Sequence, residues 1–216
     1  KGAPRRLSRF VVNRLPWSYF GKLLSVFVLV RIQLCCIQSL RRDSNVKPTD
    51  IGQSYSATGK LLHWGFLGVF AYGIFKQVND LSQLDDPAFL RFEFIFACAY
   101  LLILALRLWV MRGQASALPH GTPTWQRVAA KLVHYGMYMA LMAIAVTGLA
   151  IGVVFTLGMR DGALMELCIA AHEASIAASY GLITLHVAAA VYHRVLGDGV
   201  WSAMVPILKE RPKRRG

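Results

Sequence analysis

Two histidines, His172 and His186, stand fourteen residues apart inside one long apolar stretch. In a helix, fourteen residues span about 21 Å, and fourteen steps of roughly 100° return the second side chain to within about 40° of the first. Both imidazoles then leave one face of one helix, near opposite borders of a hydrocarbon layer about 30 Å thick. Imidazole is a common metal ligand, and ionisable groups at such depth are rare and usually functional. The spacing suggests two haem irons stacked across a membrane.

The elements that must carry these side chains follow from composition. The 216 residues are 56% apolar and only 16% charged, too greasy for a soluble domain and suited to a small helical membrane protein. Four long apolar segments, 61–78, 89–111, 128–159 and 164–196, each have about the twenty residues that a spanning helix needs. The expected fold is therefore an all-α integral membrane protein, a four-helix transmembrane bundle. Cys35, Cys36, Cys98 and Cys168 all lie in apolar stretches without a C-x-x-C, which argues against a disulfide framework, a zinc site or covalent haem attachment.

The net charge of +13 is distributed as a topology signal. If the four segments alternate, Lys76, Arg91 and Arg160 share one side with seven acids, and the remaining 21 basic residues share the other with four. Cytoplasmic loops are rich in Lys and Arg, so both ends of the four-helix core are expected in the cytoplasm, and the protein in the inner (cytoplasmic) membrane. The lipid bilayer is the expected partner and nucleic acid is not.

Residues 1–54 read as a basic extension containing a fifth apolar run, 23–40. Arg31 interrupts that run, and basic clusters flank it on both sides. A span would put one cluster on the wrong side of the membrane, so a helix lying in the interface is preferred to an additional spanning helix. Arg31 and the lack of a small-residue cleavage site also argue against a signal peptide. Residues 207–216 form a basic, cytoplasmic tail.

On this topology His63, His134, His186 and His193 share the cytoplasmic half, and His172 lies toward the other. A lone intramembrane histidine bonds neighbouring helices as readily as it binds metal. Several at one depth favour a cofactor. Axial ligation of b-type haem needs two imidazoles facing each other from two helices, and a bundle interior is where such sites are built. Zinc, copper or di-iron sites would want carboxylates or closely spaced ligands such as H-x-x-x-H, and none is seen. Gly65, Gly68 and Gly73 near His63 would leave room for a macrocycle or for close helix packing, and Gly148 with Gly152 forms a packing G-x-x-x-G.

Two blocks then resemble the bacterial cytochrome b561 family, which includes superoxide:ubiquinone oxidoreductases. One is Tyr55-Ser56-Ala57 followed by Leu62-His63-Trp64. The other is His172-Glu173, Tyr180-Gly181, Leu185-His186-Val187-Ala188-Ala189-Ala190, Tyr192-His193-Arg194 and Asp198-Gly199, running to Met204-Val205-Pro206. The third segment, from Val133-His134-Tyr135 to Thr147-Gly148-Leu149, is also similar, so the likeness spans residues 55–206. It implies that His63 and His186 ligate the cytoplasmic-side haem. It also implies that His172 ligates a second haem, opposite a histidine near the start of the second helix.

That opposing histidine is absent. The family pattern places it fourteen residues before the arginine closing the second helix, and counting back from Arg107 gives Glu93; no histidine occurs between residues 64 and 119. A five-coordinate haem, a glutamate or partner-supplied ligand, and no second haem are the alternatives. Loss of the second haem is the preferred expectation, with Glu93 bonded either to His172 or to Arg91.

A bis-histidine iron has no open position, so it moves single electrons, and quinone is the expected exchangeable partner. His134 and His193 are candidates to donate to quinone carbonyls, and Lys60, Lys131 and Arg194 to pair with haem propionates. The expected function is membrane haem-b electron transfer, as an oxidoreductase or as a cytochrome b subunit serving a dehydrogenase. The alternative is an accessory subunit of a larger membrane redox complex with decayed haem binding.

Overall fold

The computed structural model describes residues 55–78, 80–113, 118–119 and 121–205. The expectations for 1–54 and 207–216, including the apolar run 23–40, lie outside the described residues. Every regular element among the described residues is helical: α1 (Ala57–Phe75), a 3-10 turn (Leu81–Asp85), α2 (Pro87–Arg112), α3 (Thr124–Thr156), α4 (Ala163–Leu196) and α5 (Val200–Met204).

The boundaries have local causes. Ser56 caps α1 by accepting from the Gly59 amide at 3.1 Å, so the helix starts four residues before the apolar run does. Asp80 accepts from Ser82 N–H at 2.8 Å and opens the 3-10 turn. That bond holds the exposed Asp80 carboxyl below its ordinary value of 3.8. Asp86 caps α2 through the Ala88 amide at 2.9 Å, with Pro87 in the first turn, where no N–H is missed. α4 ends at Gly197, whose φ of 68° few side chains tolerate and whose N–H returns to the carbonyls of His193 and Arg194. α5 then folds back, and Trp64 Nε1 donates to the Met204 carbonyl at 3.3 Å. The backbone N–H of Tyr55 meets Ala203 O at 3.2 Å. Thus α5 closes the end of the bundle where α1 begins.

The helices pack in chain order, α3 against α4 most extensively, then α2 against α3 and α1 against α2. Phe66, Tyr100, Leu104, Leu141 and Ala145 form the buried centre joining α1, α2 and α3. A second cluster, Leu84, Val154, Phe155 and Met165, locks the 3-10 turn onto α3 and α4 at the other end. Large apolar side chains nevertheless cover the outside: Leu102, Trp109 and Phe75 are all more than 70% exposed. An inside-and-outside apolar bundle is the solution a bilayer demands, since backbone groups are satisfied within helices and the outer faces meet lipid. This is an all-α membrane protein.

Three helices, α2, α3 and α4, are long and apolar enough to cross a membrane. The apolar runs of the sequence predict four. α1 has 19 residues, about 28 Å of helix, which matches a hydrocarbon layer in length. Lys60, His63, Trp64 and several glycines dilute its hydropathy, and His63 is the side chain with which it meets α4.

Candidate functional site

Four helices bring four polar side chains together near the α5 end. α1 supplies His63, α2 Arg107, α3 His134 and α4 His186. The His63 and His186 ring centroids are 6.4 Å apart, with planes at 57°. His134 meets His186 edge to face at 4.9 Å. Two nitrogens bound to one metal at about 2 Å each, on opposite sides, place the two ring centroids about 6–6.5 Å apart. The His63–His186 spacing fits an iron held between two imidazoles, and the His134–His186 spacing is too short for it.

Hydrogen bonds fix which ring nitrogen is free. His134 Nδ1 donates to the Ala130 carbonyl at 2.6 Å, which leaves its Nε2 as an acceptor while the ring is neutral. His63 is arranged the other way round. Arg107 Nη2 lies 2.7 Å from His63 Nδ1, and a guanidinium can only donate, so this Nδ1 accepts. The Arg107 guanidinium lies near the rings of Phe66 (5.3 Å) and Tyr138 (5.6 Å), and its Nε is buried without a hydrogen-bond partner among the described residues. A buried cation with an unmet donor is costly in an apolar bundle. Such a donor calls for an anionic or accepting group beside His63.

His193 does not join the trio. Two turns beyond His186, its Nδ1 pairs with Asp198 Oδ2 at 2.6 Å, both side chains being mostly buried. Asp198 Oδ1 in turn accepts from the Val200 amide at 3.2 Å, so the start of α5 orients the pair. Asp198 was legible only as part of a family block, and Arg107 only as a counting mark. Neither shows its role in the sequence, because both act on histidines of a different turn or helix.

His172 lies at the other end of the bundle. Thr147 Oγ1 has one proton and commits it to the Ala143 carbonyl at 2.6 Å. His172 Nδ1 lies 2.9 Å from the same oxygen and must donate to it. The free nitrogen of His172 is therefore Nε2, a lone pair. The ring borders a partly open cavity of about 310 Å³ lined by all four long helices and reaching from the 3-10 turn to Tyr100.

Glu93 also lines this cavity, yet it reaches neither of the partners expected for it. Its carboxylate pairs with Lys76 Nζ at 2.8 Å, across from α2 to the end of α1, because Lys76 leaves α1 directly over the rings of Phe89 and Phe92. Glu93 is thereby tied to a cation and does not stand opposite His172 as a ligand. Gly73, Gly148 and Gly152 border the same cavity and pack closely on side chains of neighbouring helices. A β-carbon on Gly152 would lie 2.9 Å from the Phe94 ring, and on Gly73 or Gly148 3.4 Å from Phe96 or His172. Gly65 and Gly68 lie on the exposed face of α1, with nothing within 4 Å of an added β-carbon.

His63 and His186 stand at a spacing that suits two imidazoles on one iron, whereas α2 carries no histidine to face His172. No group of three or more His, Cys, Asp and Glu that could hold a bare metal ion exists among the described residues. No curated protein and no solved structure matches the chain significantly. The family model for prokaryotic cytochrome b561 matches residues 54–206, the span from the Ser56 cap through α5. The chain belongs to the prokaryotic cytochrome b561 family, whose members are membrane haem-b electron-transfer proteins.

Proposed function

We propose that this chain carries electrons through a single haem b held by His63 of α1 and His186 of α4, and exchanges them with membrane quinone. The observation that carries the reading is the 6.4 Å spacing of those two rings, in a chain whose α2 carries no histidine to face His172. When bound, the haem would supply a reversible one-electron couple.

The chain's own residues do the rest. To offer the lone pair of Nε2, His63 must keep its proton on Nδ1, so Arg107 must give up that nitrogen. Arg107 already has an unmet Nε, and its whole guanidinium then becomes available to an anionic group such as a propionate. Phe66 and Leu104 keep water from the interior side, and α5 covers the end. The Asp198 carboxylate fixes His193 with Nε2 as its remaining ring atom, in place to meet a carbonyl or hydroxyl at the membrane border. The distribution of Lys and Arg supports a cytoplasmic position for this end, with the His172 end on the opposite side.

One specific observation favours the accessory-subunit reading: Arg107 occupies His63 Nδ1 in a way that opposes ligation through Nε2. A pyridine haemochrome assay on the purified full chain decides between them. One haem per polypeptide with a low-spin spectrum supports the electron carrier. Haem-free protein supports the accessory subunit, and two haems overturn the single-haem assignment.

A further inference from the structure

The cavity beside His172 has a consequence for ligand binding that a lost haem alone would not require. It is built mainly from apolar side chains, among them Phe94, Phe96, Ile144 and Ile151, and it is of the size that small-molecule sites have, about 300–1,000 Å³. Gln77, Asp80, Glu173, Ser179 and Tyr180 add polar groups to the lining, and four further polar side chains define what it can recognise. His172 presents Nε2 as an acceptor, because Thr147 holds the proton on Nδ1. Glu93 and Lys76 present a half-buried carboxylate and ammonium paired at 2.8 Å. At the inner limit stands Tyr100, only 5% exposed, whose hydroxyl has no hydrogen-bond partner among the described residues.

We infer that this cavity binds a hydroquinone-class ligand, an apolar aromatic ring whose hydroxyl donates to His172 Nε2. The inference rests on the quinone-linked reading above and adds the place. An acyl chain would fill the volume but leave the His172 lone pair unmet, whereas an aromatic diol fills the volume and supplies a donor. Its second hydroxyl can meet the Glu93–Lys76 pair, which offers both an acceptor and a donor. Tyr100 packs on Phe66 at 5.1 Å, and Phe66 lies one turn from His63, so the inner wall of the cavity and the His63 site share one layer of side chains. Thr147 is a positioning residue here, since it acts only through His172.

The test uses the full chain purified with its haem and reconstituted in lipid nanodiscs. The probe is an alkyl-hydroquinone carrying a diazirine, kept reduced under argon, with labelled peptides mapped by mass spectrometry and affinity measured by competition with unlabelled decyl-hydroquinone. Labelling of α2 and α4 residues around His172 is expected. Affinity should fall about tenfold in His172→Phe and several-fold in Thr147→Val, the loss of one buried hydrogen bond and of its orientation. Both variants should keep the wild-type haem content and low-spin spectrum, which shows that they fold. Labelling confined to the His134 and His193 end would overturn this placement while leaving the quinone-linked reading intact. Undiminished cavity labelling in His172→Phe would overturn it as a merely greasy pocket. A second haem that His172→Phe removes would overturn it too, together with the single-haem reading.

Discussion

The two ends of this bundle are made from the same four helices and separated by fourteen residues of α4, yet their histidines are wired in opposite senses. At the His63 end, a cation donates to the ring: Arg107 takes Nδ1 of His63 and leaves a second, buried donor unmet. At the His172 end, a neutral hydroxyl accepts from the ring, and the neighbouring cation, Lys76, is already neutralised by Glu93. One end presents two imidazoles at the spacing of a shared metal and an excess of donors. The other presents one imidazole, an acceptor facing an apolar cavity. The lesson is that helix position sets only where a histidine stands, and its hydrogen-bond partner sets what it can bind.

The largest expected effect breaks the His63 end. His63→Ala or His186→Ala should reduce haem from about one per chain to near zero and abolish the low-spin spectrum. If either variant keeps that spectrum, the pairing of these rings is wrong. By contrast His172→Ala should leave haem content unchanged, and a loss of half the haem would erase the difference between the ends.

Glu93→His sharpens the comparison further, because it restores a second imidazole near His172. Haem content should stay at one, since Phe94 and Phe96 already fill the faces of Gly152 and Gly73. A rise toward two would mean that the missing ligand alone, and not packing, distinguishes the two ends. Arg107→Leu should retain haem and lower its midpoint potential by tens of millivolts, because a nearby cation favours the less positive, reduced centre. Spectroelectrochemical titration reads this directly, and an unchanged potential would place Arg107 away from the haem.

Packing effects come next. Gly152→Ala should destabilise the bundle by about 1 kcal/mol, since its methyl group would press on the Phe94 ring, and denaturation in mixed micelles measures it. The smallest effect concerns pH. The Asp80 carboxyl is held below 3.8 by its bond from Ser82, so its contribution is present above that value and is lost as pH falls through the lowered one. Hydrogen exchange at the Ser82 amide should therefore quicken below about pH 3.8 in the wild type and be insensitive to pH-linked release in Asp80→Asn.

Much of this was legible beforehand because it is local. The apolar runs gave the helices, and the His172–His186 spacing gave two levels on one face. The long block from His172 to Pro206, together with the block around His63, gave the family that the match over residues 54–206 bears out. Helix ends were less legible: α1 starts at Ala57 because Ser56 caps it, and no hydropathy run marks a cap. The partner of Glu93 was not legible at all. Arg91, two residues away, lies on a different face of the helix, while Lys76, seventeen residues earlier, comes over it from the end of α1.

The sequence by itself therefore determined the class of fold, the depth of each histidine and the absence of an imidazole opposite His172, since these depend on residue type and helical period alone. Only the tertiary structure decided that His63 and His186 face each other at 6.4 Å, and that Arg107 and Thr147 assign opposite protons to their histidines. It also decided that Phe94 and Phe96 pack against Gly152 and Gly73 beside the His172 cavity. Those facts depend on how four helices rotate and slide against one another. Distances across a bundle are set by packing among all the helices together, and no single stretch of chain encodes them.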